Sequence, residues 1–141
     1  MALTPGLLAS VRIFVADTDT AKAMGSGDVP VLATPRLLAL AEAASVAAIT
    51  PSLESGLTSV GTSVAMEHKQ ASPIGAEVLV EAELTEVDGR RLVFRFIVRQ
   101  KRPEGSAGDE DTVVGAGTVE RVLVDRERFI SHAKHGDTRQ L

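Results

Sequence analysis

The stretch from Val31 to Ile49 constrains this chain more than any other. It reads as one long helix that is apolar nearly all round. Alanine fills Ala39, Ala41, Ala43, Ala44, Ala47 and Ala48, which favours helix and lets neighbouring backbone approach closely. Thr34-Pro35 marks the start, with Thr34 as N-cap and Pro35 at the first helical position, where a missing N–H costs nothing. Thr50-Pro51 marks the stop. A helix without a polar face is expected to be wrapped on every side by other structure. Within it stands one carboxylate, Glu42, with Ser45 as the nearest polar side chain on the helix. Burying a carboxylate as a charge is costly, so Glu42 needs a partner or a task.

The chain around this helix alternates. Ala9 to Val15 carries Val11, Ile13 and Val15 at every second position, a short strand. Residues 17–30 form a long polar connection with room for a helical turn near Thr20 to Met24. A connection of that length suggests a small lid, here without any aromatic residue. From Ser59 the period becomes two: Val60, Thr62, Val64, Met66 and His68 share one face, and Gly61, Ser63, Ala65 and Glu67 the other. Glu77 to Val87 and Arg91 to Arg99 flank Asp88-Gly89, a strong hairpin signal. Their outward faces are acidic on the first strand and basic on the second, and pair across the hairpin. Arg102 to Asp111 reads as a flexible loop. Thr112 to Val124 is the last strand, where Gly115 and Gly117 mark a bulge or a close backbone approach. Asp125 to Lys134 reads as a short closing helix.

Strand, buried helix, then four antiparallel strands is the order of an α+β hot-dog fold. In it a curved five-stranded antiparallel sheet wraps one long central helix. One domain spans 1–141, with its core at about 9–130 and a frayed polar tail at 131–141. Fold analogy adds a homodimer, which covers the free edge of the sheet.

Composition narrows the partners. The net charge is −4 and the aromatics are four Phe, which argues against nucleic-acid and membrane-surface binding. The chain has no cysteine, so no disulfide, thiolate nucleophile or cysteine-ligated metal, in keeping with a cytoplasmic protein. No signal peptide or transmembrane span is evident. His132 and His135 make no convincing metal site.

An ordered set of motifs then carries a resemblance. It comprises Val31-Leu32-Ala33-Thr34-Pro35 with Glu42, Ser59-Val60-Gly61-Thr62 with His68, Pro73-Ile74-Gly75, Val87-Asp88-Gly89-Arg90-Arg91-Leu92, Gly115-Ala116-Gly117-Thr118-Val119-Glu120-Arg121, and Phe129. Together, from about Val11 to Phe129, they resemble the fluoroacetyl-CoA thioesterase family of hot-dog proteins. The resemblance implies hydrolysis of an acyl-CoA thioester by a homodimer without metal or redox cofactor, coenzyme A entering only as part of the substrate. It assigns catalytic roles to Thr34, Glu42 and His68. It also puts the Gly61 backbone and Arg121 beside the acyl group.

The residues alone leave alternatives. Thr34 serves equally as a cap, His68 as an ordinary strand-end histidine, and Arg121 as a solvated charge beside Glu120. Thr34 and Glu42 are two turns apart, about 12 Å, so within one subunit they border one pocket without bonding each other. Glu42 and His68 are expected to form the acid–base pair, with Thr34 orienting the substrate. Lys69, Arg90 and Arg91 are candidates to meet the CoA phosphates. The sequence departs from the family at Val119, where relatives often carry His, at the polar run Lys69-Gln70, and in the aromatic-free connection before Val31. These departures favour a short or medium acyl group over a specifically fluorinated one. Other readings of the same pocket are a non-catalytic acyl-CoA or small-acid binding module and a hot-dog enoyl-CoA hydratase.

Overall fold

The computed structural model describes residues 3–102 and 111–136. The flexible loop expected between Arg102 and Asp111 and the last residues of the tail lie outside the described residues. Strands β1 (Leu8–Phe14), β2 (Leu57–His68), β3 (Glu77–Asp88), β4 (Arg91–Gln100) and β5 (Thr112–Asp125) form one antiparallel sheet in the order β1-β3-β4-β5-β2. Helix α1 (Ala21–Met24) is the short turn in the connection, α2 (Thr34–Ile49) is the central helix, and α3 (Arg126–Lys134) runs on from β5 into the polar tail. The Asp125 side chain caps α3 by accepting the Arg128 N–H.

Helix α2 lies across the sheet, chiefly on β1 and β3. Leu37, Leu40 and Ile49 meet Val80, Leu84 and Phe94 in a core from which water is excluded. Each such side chain contributes about 1.5–3 kcal/mol by leaving water. The helix is not wrapped on every side. Thr34, Pro35, Ala39, Ala43, Val46 and Ala47 are exposed along the flank away from the core. A small-residue flank carries too little apolar area to force its own burial, so the expectation of complete wrapping fails within the single chain.

Strand β2 departs from simple alternation. Its register to β5 runs Ser59 to Leu123 and Gly61 to Arg121, then Ser63 to Glu120 and Val64 to Val119, which leaves Thr62 as an extra residue in a β-bulge. The Thr62 hydroxyl donates to the Glu120 carbonyl at 3.2 Å and staples the bulge. The faces expected for this strand therefore change at Thr62. Gly61, expected on the outer face, turns toward the helix, and Val64, Met66 and His68 keep the inner face. Gly115 and Gly117 sit where β2 and β5 press together. A Cβ at Gly115 would come within 2.6 Å of the Glu67 carbonyl, and one at Gly117 would overlap that of Ala65. Across the β3–β4 hairpin Glu83 stands opposite Arg95. The outward ion pairs of these strands include Arg12 with Glu77 at 3.3 Å and Arg91 with Glu86 at 2.8 Å and with Glu120. Exposed pairs of this kind add little stability.

Candidate active site

Helix α2 also touches β2 and β5, and the residues expected from sequence fall there in two groups. The first is at the helix start. Ala33, not Thr34, is the N-cap, and Thr34 and Pro35 are the first two helical residues. The Thr34 hydroxyl is thus free of capping, and it lies 2.9 Å from His68 Nδ1. That contact serves either direction of proton donation. The other ring nitrogen, Nε2, is buried without a hydrogen-bond partner. Burial lowers the His68 pKa below its usual value near 6.5; the neighbouring Gln70 main chain opposes this without closing a bond to Nε2. His68 is therefore predominantly neutral at pH 7, with one nitrogen committed to Thr34 and the other unused.

The connection before α2 holds this end in place. The Asp19 carbonyl accepts the Ala33 N–H at 2.9 Å, and the Asp19 carboxylate accepts Arg36 Nε at 2.8 Å and the Ala16 N–H at 2.8 Å. Burial pushes Asp19 upward, but these donors outweigh it and its pKa lies below the ordinary carboxylate value. The Leu32 N–H reaches the Ser72 carbonyl at 2.9 Å. The segment expected to be a lid thus anchors the helix start. Neither Asp19 nor Arg36 was singled out from sequence, because nothing local ties a residue in a loop to one 17 positions on.

The second group lies two helical turns further along. Glu42 Oε2 accepts Arg121 Nη1 at 2.9 Å. The Arg121 side chain is 9% exposed and that of Glu42 32%. Burial lowers the Arg121 pKa and Glu42 opposes it; guanidinium remains protonated throughout the working range. Arg121 also donates through Nε to Ser59 Oγ at 2.8 Å and through Nη2 to the Ser59 carbonyl at 3.0 Å. Among the described residues Glu42 Oε1 takes no hydrogen bond. Gly61 lies directly beneath: a Cβ there would overlap the Glu42 carboxylate and stand 3.2 Å from Arg121 Nη1.

The structure brings together Thr34 with His68, and Glu42 with Gly61 and Arg121. It does not pair Glu42 with His68 as expected, since each has another partner. Arg121 is a buried, hydrogen-bonded group and not a solvated charge. Ser59 carries no functional signal of its own in the sequence beyond its place in the Ser59-Val60-Gly61-Thr62 motif, two residues before Gly61. Among the described residues no cluster of three or more His, Asp or Glu could hold a metal ion.

Comparisons with known proteins identify the family. The family model described as FlK, fluoroacetyl-CoA-specific thioesterase, matches residues 15–127. The fluoroacetyl-CoA thioesterase of Streptantibioticus cattleyicolor is 40% identical over 99 residues, which cover 70% of this chain and 65% of that relative. A solved structure of the fluoroacetyl-CoA thioesterase FlK superposes with a TM-score of 0.81 at 30% identity, covering 96% of this chain and 98% of the other. A thioesterase-superfamily member from Thermus thermophilus, at 23% identity and a TM-score of 0.82 over 95% and 93% of the two chains, shares the fold. The match of the family model over residues 15–127, with a superposition on FlK that spans nearly the whole of both chains, places this chain in the fluoroacetyl-CoA-specific thioesterase family.

Proposed function

We propose that this protein is a thioester hydrolase that cleaves an acyl-CoA to the free acid and coenzyme A. One observation carries the reading: a carboxylate on the open flank of α2 is held through a single oxygen by a buried arginine, which leaves Oε1 unengaged. Hydrolysis consumes one water and returns a carboxylic acid and a thiol. It needs a group to attack or to take a proton from water, and a donor for the departing sulfur. Glu42 Oε1 meets the first need, either by direct attack or as base toward water. His68 meets the second by hydrogen bonding and not by giving up a proton: the thiolate of coenzyme A is a weak base that departs as the anion and takes its proton from solvent, while the neutral ring stays neutral with the Thr34 hydroxyl at Nδ1. Thr34 and the Gly61 main chain orient the carbonyl, and Arg121 holds Glu42.

The substrate class is read from the sequence before α2. The anchoring segment 17–30 carries no aromatic residue, which supports a short or medium acyl group over a specifically fluorinated one. A homodimer belongs to the proposal. It is supported by the free edge of β2, where the sheet ends. Paired copies would also let the Glu42 end of one protomer face the Thr34–His68 end of the other. A cytoplasmic setting rests on the cysteine-free sequence. No helix among the described residues is long and apolar enough to cross a membrane.

The test is release of free thiol from a panel of short and medium acyl-CoAs. Turnover is expected for at least one of them, and Glu42→Gln is expected to lower kcat about 1000-fold with native circular dichroism. Should CoA esters raise the melting temperature with no turnover, the protein is a binding module and the proposal is wrong.

A further inference from the structure

We propose that Ser59 is a positioning residue for the reaction, acting through Arg121. The inference rests on the reading of Glu42 as the reacting carboxylate. A guanidinium offers five N–H donors in a rigid planar fork. Here one residue occupies a whole edge of that fork: Ser59 Oγ takes Nε at 2.8 Å and the Ser59 carbonyl takes Nη2 at 3.0 Å. The opposite corner, Nη1, is left to point at Glu42 Oε2. Two contacts on one edge and a third across from them fix both the place and the rotation of the plane. With the Arg121 side chain 9% exposed, water is a poor substitute for a lost acceptor.

The backbone supplies the reach. Ser59 is two residues before Gly61, which pairs with Arg121 across the β2–β5 ladder. The Ser59 carbonyl is therefore set by the sheet itself, and only the hydroxyl can be removed by substitution. Without it Nε loses its partner, the plane can turn about its two remaining contacts, and Glu42 Oε2 is no longer held in one place. The free Oε1 then loses its aim. Misplacement of a reacting group lowers the rate of the chemical step much more than binding. Ser59 itself stands behind Arg121 and makes no contribution to substrate affinity in this account.

Three proteins test this on the acyl-CoA that the wild type turns over best: wild type, Ser59→Ala and Ser59→Thr. Ser59→Ala is expected to lower kcat about tenfold with KM within about twofold, and Ser59→Thr, which keeps the hydroxyl, to restore kcat to within about threefold of wild type. A second readout is the Arg121 side-chain Nε–H resonance, assigned by its loss in Arg121→Lys. It should be protected from solvent exchange in wild type and Ser59→Thr, and unprotected in Ser59→Ala. Unchanged kcat in Ser59→Ala, or unchanged protection of that N–H, overturns the proposal. Wild-type turnover in Glu42→Gln, beside the expected loss of Nε–H protection in Ser59→Ala, would instead overturn the role of Glu42 while leaving the link from Ser59 to Arg121 intact.

Discussion

The two ends of the proposed site are held by opposite means. At the Thr34–His68 end a single hydrogen bond joins two neutral groups; Thr34 is exposed, and His68 keeps one nitrogen unused. At the Glu42 end a charged pair is braced by two further bonds to Ser59, and the carboxylate lies directly over the Gly61 backbone, where a side chain would displace it. A neutral pair with a single bond can exchange partners as a substrate enters. A buried charge cannot be left without compensation even briefly, so its surroundings have to be built in advance. On the proposed reading, the group whose position matters most, Glu42, is the one that the fold fixes.

Disturbing each end separately sharpens this contrast. The largest effect is expected at the fixed end. Gly61→Ala places a methyl where the Glu42 carboxylate lies, so the pair with Arg121 must shift. We expect a loss of about 1–3 kcal/mol in stability by denaturant unfolding and at least a tenfold drop in kcat. Equal stability and activity to wild type would show that the Glu42 end is as adaptable as the other. Thr34→Ala, at the loose end, should lower kcat about tenfold while changing stability by under about 0.5 kcal/mol, because the hydroxyl is exposed and caps nothing. A stability loss as large as that of Gly61→Ala would erase the distinction.

The smallest effect is in pH dependence. Burial holds the folded His68 pKa below 6.5, so the acidic limb of kcat/KM assigned to it should lie below that value. The stability sign follows. Below about pH 6.5 the unfolded chain takes up a proton at this position before the folded chain does, so the contribution of neutral His68 is present above that pH and lost as pH falls. Melting temperatures at pH 7.5 and 5.5, compared between wild type and His68→Asn, measure it. A larger acid-induced loss in His68→Asn than in wild type would contradict the burial of the neutral ring.

Much of the frame was legible because proline and alternation are strong local signals. Thr34-Pro35 and Thr50-Pro51 delimit α2 as observed, and Asp88-Gly89 makes the β3–β4 turn. The reading failed where a distant group decides. Thr34 reads as the N-cap, yet the chain is fixed one residue earlier, where the Ala33 N–H is claimed by Asp19. The wrapping of α2 was overestimated because alanines lower the demand for burial as well as raising helix propensity. The bulge left no mark in composition: Thr62 is an ordinary strand residue, and an alternating pattern read through it assigns the residues on its two sides to the wrong common face. The same failing hid Ser59, whose role depends on knowing that it looks inward.

That bulge means that the proposed site depends on a count of residues as well as on their identity. Ser59 and His68 are nine positions apart, an odd number that regular pleating would send to opposite sides of the sheet, and the phase slip at Thr62 cancels the mismatch. Every functional side chain in β2 can therefore be intact in a relative whose strand has lost or gained one residue, and the site would still be gone. Strand length at this point is functional information: related chains that keep this site should vary here only in steps that preserve the phase between the two halves of β2.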